Sequence, residues 1–113
     1  MSKAISLTRR LVLEDAMRVS DGAGGFTETW NAVGELWAEI TPGSGRERFG
    51  QEVTVSQVPY RIVVRGAPVG APSRPRAEQR LRDETRIFRI IGVTEYDRDA
   101  RYLTCFAIEE VAG

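Results

Sequence analysis

Apolar residues recur at every second position along most of this chain, the period of a β-strand rather than of a helix. Leu7, Leu11, Leu13, Met17 and Val19 share one parity, and Arg10, Val12, Glu14, Ala16 and Arg18 take the other. That alternation reads as a half-buried strand. "SDGAGG", residues 20–25, ends it with a strong turn signal, because glycine supplies positive φ and aspartate bonds its own backbone. In "FTETWNAVGELWAEI", residues 26–40, Phe26, Trp30, Leu36, Ala38 and Ile40 share parity and Trp37 takes the opposite one. Gly34 marks a bulge, where the strand changes direction. Phe26, Trp30 and Trp37 are expected as anchors of a core or an interface.

Further along, "VTVSQVPYRIVVR", residues 53–65, is rich in β-branched residues. Val58, Tyr60, Ile62 and Val64 form one face, and Arg61 and Arg65 fall on the other. Pro59 cannot donate a ladder hydrogen bond, so this strand is expected at an edge or bent there. Residues 66–80, "GAPVGAPSRPRAEQR", carry Arg74, Arg76 and Arg80 among prolines and glycines that exclude a regular helix. A loop this long is usually functional or mobile. Beyond it the chain reads as a meander with turns at Asp83-Glu84 and at residues 97–100, and adjacent Ile90 and Ile91 point to a strand buried on both faces. The expected fold is all-β, a small antiparallel barrel or sandwich of about five or six strands with two long loops, at 41–52 and 66–80. At 113 residues, the chain reads as a single domain over 1–113.

Composition removes several functions. The chain has no histidine and one cysteine, Cys105. The commonest general base and metal ligand is therefore missing, and Ser-His, Cys-His and thiolate-zinc systems cannot be built. Cys105 lies in an apolar run and reads as a small buried hydrophobe. Glu14 with Asp15 and Glu109 with Glu110 are neighbours on strands, so each pair faces two ways, while Asp97 and Asp99 flank a turn. Neither an enzyme nor a cofactor is indicated. Sixteen Lys+Arg balance sixteen Asp+Glu, which disfavours a dedicated nucleic-acid or anionic-membrane binder. Lys3 is the only lysine, and arginine predominance suits interfaces, although genome base composition gives the same bias. No stretch nears the roughly 20 apolar residues of a membrane helix, and the first residues lack a signal-peptide core, which points to a cytoplasmic origin.

"ITPGSGRERFGQE", residues 40–52, has the glycine spacing of a phosphate loop from Gly45 to Gly50. Gln51 and Glu52, however, stand where lysine and a hydroxyl are needed. It is longer than a hairpin turn requires, which favours a glycine-hinged loop over a plain turn. A second reading of the whole chain is an OB-like barrel binding single-stranded nucleic acid. In that reading Tyr60 beside Arg61, and Phe88 between Ile87 and Arg89, would serve as stacking platforms.

The blocks "DGAGGFTETW", "LWAEITPGSGRERF", "YRIVVR" and "RIFRIIGVTEYDRDARYLTCFAIEE" occur in an order and spacing that resembles the phage head–tail joining family of head-closure, or stopper, proteins. The resemblance runs from about Leu7 to Glu110 and departs at residues 66–82. It implies a structural head–tail connector of a tailed phage, a prophage or a gene transfer agent, located in the particle at the head–tail interface and assembled in the host cytoplasm. The expected partners are further copies of itself in a ring (hexamer or dodecamer), the portal and adaptor proteins, a tail terminator or tail tube protein, and the packaged double-stranded DNA; no membrane is involved. The resemblance implies that this ring closes the DNA channel after packaging and docks the tail. The resemblance further implies that Gly43, Ser44, Gly45, Arg46, Glu47, Arg48 and Phe49 belong to the segment that points into the channel.

Overall fold

The computed structural model describes residues 4–43 and 58–110, and all of its regular structure is strand. The elements are β1 (Arg9–Ser20), β2 (Phe26–Pro42), β3 (Val58–Arg65), β4 (Arg80–Asp83), β5 (Arg86–Glu95) and β6 (Tyr102–Glu110). Every pairing is antiparallel, and the order β1-β2-β3-β6-β5-β4 closes into a barrel when β4 pairs with β1. The expected choice between barrel and sandwich thus resolves to a barrel. Its interior is filled by alternate residues of all six strands. Leu11, Leu13, Ala38, Ile62, Val64, Leu81, Phe88, Ile90, Leu103, Cys105 and Ala107 are each no more than 1% exposed. Closure hides the backbone edges that an open sheet of this size would present.

Two bulges decide which side chains reach that interior. Leu13 lies opposite Gly34 and Glu14 opposite Ala32, which leaves Val33 as the extra residue of β2. One extra residue exchanges the faces of everything beyond it. Leu36 and Ile40 therefore pack on the core, while Trp30 comes opposite Ala16 and Phe26 opposite Ser20, on the outer face. The shared parity expected for Phe26, Trp30, Leu36, Ala38 and Ile40 does not survive the bulge that Gly34 adjoins. The second bulge leaves Ile91 unpaired between Ile90 opposite Ala107 and Gly92 opposite Phe106. Ile90 is buried, Ile91 is half-buried, and Val93 turns back onto the core. The adjacent isoleucines record a bulge rather than a strand buried on both faces.

Of the two expectations for Pro59, an edge strand or a bend, the edge is not met: β3 lies between β2 and β6. Pro59 is tolerated because it is the second residue of the strand, just beyond the last β2 pair at Tyr60, where the Gly43 N–H donates to the Pro59 carbonyl at 2.9 Å. After β3, Gly66 passes so close to the β5–β6 turn that a Cβ there would meet the Ala100 carbonyl oxygen at 2.2 Å. Residues 66–79 then pack against the barrel. Pro75 is fully buried, Arg74 Nη1 donates to the Ala67 carbonyl at 2.9 Å, the Ile90 N–H donates to the Gln79 carbonyl at 2.9 Å, and the Glu78 N–H donates to the Ile90 carbonyl at 3.1 Å.

β1 and β2 outrun the barrel. β4 pairs with β1 only at Val12, Leu13 and Glu14, and β3 reaches β2 only from Ala38 onward. Residues 15–31 therefore form a two-stranded arm. Its turn is held by Asp21 Oδ1, which accepts the N–H groups of Ala23 at 2.8 Å and Gly25 at 3.0 Å. Gly22 and Gly24 there take φ of +79° and +86°, a conformation costly for any side chain.

Candidate functional site

Three surfaces are built by these strands: the barrel mouth, the root of the arm, and a groove beside β2. The mouth is where β2 ends and β3 begins. There the inward-facing positions turn polar. Arg86 Nε donates to Glu109 Oε2 at 2.8 Å, and Arg86 Nη2 reaches Glu109 Oε1 and the Tyr60 hydroxyl, each at 3.3 Å. The guanidinium carbon lies 4.9 Å from the Phe88 ring centre, and Tyr60 meets Phe88 edge-on at 5.2 Å. The Arg86 hydrogen bond holds the Glu109 carboxyl below its ordinary range, and the same bond pushes Arg86 up. Arg9 and Asp83 form a further ion pair. The mouth is thus sealed by matched charge over an aromatic floor.

At the root of the arm, Glu14 is 5% exposed on the outer face of the barrel. Arg80 Nε donates to its Oε1 at 2.6 Å, and Arg82 Nε to its Oε2 at 2.9 Å. Burial alone would raise the Glu14 carboxyl; the hydrogen bonds from Arg82 and Arg80 and their charges reverse this and hold it low. Arg80 also lies over the Trp30 ring, 4.1 Å from its centre. Beside this cluster Asp15 pairs with Arg76 at 3.5 Å and accepts from Gln79 at 3.4 Å, so the 66–79 segment is stapled to the arm.

The groove opens where β2 and β3 part. It has a volume of about 370 Å³ and is lined by Leu7, Leu36, Trp37 and Ala67, with Glu35 and Arg65 at its lip.

The expected site residues divide accordingly. Trp30 is half-buried beneath Arg80, and Trp37 is 56% exposed at the groove; neither belongs to the buried core, so the core half of that expectation is corrected. Gly43 closes the β2 ladder. Ser44, Gly45, Arg46, Glu47, Arg48 and Phe49 lie outside the described residues, as do Gln51 and Glu52. The stacking platforms of the nucleic-acid reading are not available, because Phe88 is fully buried and Tyr60 is packed against it. Asp97 is the turn residue it was expected to be, accepting the Arg101 N–H at 2.9 Å. The Glu14–Arg80–Arg82 clamp was not anticipated. Its only sequence signal is the Arg-x-Arg spacing, which puts both arginines on one face of a strand; the carboxylate they share lies 66 residues from Arg80.

Among the described residues no group of three or more acidic, cysteine or histidine side chains is placed to hold a metal ion. Cys105 is fully buried, and burial pushes its thiol up to about 12.

Comparison with known proteins places these features in a family. The model of the phage head completion protein family matches residues 2–111. A chain in the virion of a native gene transfer agent particle is 60% identical, with a TM-score of 0.78 over 96% of this chain and 98% of that one. A protein from Shigella flexneri 2a, solved in solution, shares the fold at 24% identity, with a TM-score of 0.66 over 95% and 96% of the two chains. Among curated proteins none matches. With a family model matched over nearly its entire length and a virion chain alike in fold and sequence, the chain belongs to the phage head completion protein family.

Proposed function

We propose that this protein is a structural head–tail connector of a phage-like particle, of the stopper kind, residing in the virion at the head–tail interface. The observation that carries this reading is the end-to-end likeness to a chain of a gene transfer agent virion, 60% identical over 96% of the present chain. At that identity the barrel interior, the two bulges and the arm are expected to be shared.

In this reading copies assemble as a ring beneath the portal and adaptor, close the DNA channel after packaging, and offer the tail terminator or tube a docking face. The role is structural rather than catalytic. The groups with chemical potential are already engaged: Glu14 and Glu109 by arginines, and Cys105 by burial. The segment holding Gly43, Ser44, Gly45, Arg46, Glu47, Arg48 and Phe49 is proposed to enter the channel. It leaves the barrel at Pro42 and returns at Val58, beside the sealed mouth. Net zero charge suits a ring through which DNA must pass without being held, since tight phosphate contacts would hinder exit.

The test is deletion of the coding sequence from a particle-producing strain. Heads are expected to package DNA, lose it, and fail to join tails, and the intact gene restores all three. Tailed particles that retain DNA in the deletion strain would remove the proposal.

A further inference from the structure

The arm has two unlike faces. On one, arginines cover the rings: Arg18 lies over Phe26 at 4.9 Å, although Phe26 stays 61% exposed, and Trp30 lies under Arg80. The other presents Met17 opposite Thr29 and Val19 opposite Thr27, with no charged side chain among the four. Met17 is 52% exposed and Val19 45%. The threonine hydroxyls turn back to the Met17 and Val19 carbonyls at 3.4 Å and Asn31 Nδ2 donates to Met17 Sδ at 3.8 Å, which leaves the outer part of this face apolar, with Asn31 at its inner end. A two-stranded ribbon is marginal in water without a packed face. Beside the arm, residues 26–37 of β2 have a strand neighbour on one side only among the described residues. That edge leads down to the groove of Leu7, Leu36, Trp37 and Ala67.

We propose that the Met17/Val19 face of one copy's arm seats in the Leu7–Leu36–Trp37 groove of the next copy, an inference that rests on the connector reading above. The occupant is a second copy for three reasons. The arm projects beyond the barrel and the groove is a hollow in its side, so the contact joins two different patches, a head-to-tail arrangement that can close into a ring. The arm tip carries the Asp21 carboxylate; of the two charges at the groove lip, Glu35 is already paired with Arg10 at 3.5 Å, whereas Arg65 makes no ion pair among the described residues and is the charge left to meet Asp21. The chain has no net charge, so copies approach without repulsion. The β2 edge that no described strand covers offers the incoming arm backbone hydrogen bonds as well.

Particles assembled from a mixture of Val19→Cys and Trp37→Cys chains, treated with a short thiol cross-linker, test the contact. Cross-linked pairs are expected only when both variants are present, and a chain carrying both substitutions should give a ladder of multimers. Absence of cross-links, or links between two Val19→Cys chains, in particles that contain the protein overturns the interface and leaves the connector reading standing. Wild-type protein absent from purified particles overturns both. As a second measurement, Met17→Asp should melt like wild type yet enter particles about tenfold less, the effect of some 1.4 kcal/mol per contact. Undiminished incorporation would also overturn the interface.

Discussion

Arg80 stands 4.1 Å above the Trp30 ring while its Nε holds Glu14 at 2.6 Å, so one side chain joins β4, β1 and the root of the arm. Glu14 is the member that cannot be spared, because its removal strands two arginines on a mostly dehydrated surface. Glu14→Ala is expected to cost about 2–3 kcal/mol, and Trp30→Ala about 1–2 kcal/mol, since the stacking arginine keeps its carboxylate. Thermal melts of the two variants check both the size and the order; Trp30→Ala as the more damaging change would contradict the arrangement.

The paired carboxylates at the mouth and at the arm root make stability depend on pH in a fixed direction. Glu109 and Glu14 both titrate below their ordinary value of 4.5 in the folded chain. Their contribution is therefore complete above that value and is lost as pH falls through the depressed folded values. In Glu109→Gln the acid-side fall of the melting temperature should be shallower than in wild type. Parallel curves for the two proteins would rule out a linkage through Glu109.

Gly66 is required by contact, not by an unusual backbone angle. A methyl group there meets the Ala100 carbonyl oxygen at 2.2 Å. Gly66→Ala should push β3 away from the β5–β6 turn and cost about 1–3 kcal/mol. Denaturant midpoints measure this, and an unchanged midpoint would show that the turn simply yields.

Cys105 should be inert. Its thiol is fully buried and raised to about 12, so thiolate is scarce at neutral pH. Native protein should resist maleimide at pH 7 and react once denatured. Stoichiometric labelling of folded protein would place the thiol nearer to solvent than the barrel allows.

Deletion of residues 43–49 is expected to preserve the barrel, because Arg86, Glu109 and Tyr60 bond one another across the mouth and the core lies in the six strands. The melting temperature should change little, while packaged DNA leaks from particles carrying the variant. Normal retention would remove the channel role of the segment.

Much of the architecture was legible in the chain itself. Period-two patterning, glycine and proline punctuation and the absence of helical runs determined an all-β domain, its turns, and the inward Tyr60–Ile62–Val64 face of β3. Absence of histidine determined which chemistries were closed, and the order of short blocks pointed to the family. Face assignment beyond a bulge was not legible. Val33 and Ile91 each add one residue, and one residue exchanges inside for outside, so Trp30 and Phe26 leave the parity they share on paper. Nor could local pattern pair Glu14 with Arg80 and Arg82, since a carboxylate finds its partners only when the last strand contact closes the barrel. Strand identity is a short-range property of side-chain sterics and spacing. Which buried charge is matched, and which apolar face is left outside, depend on closure, and only the tertiary structure decided them.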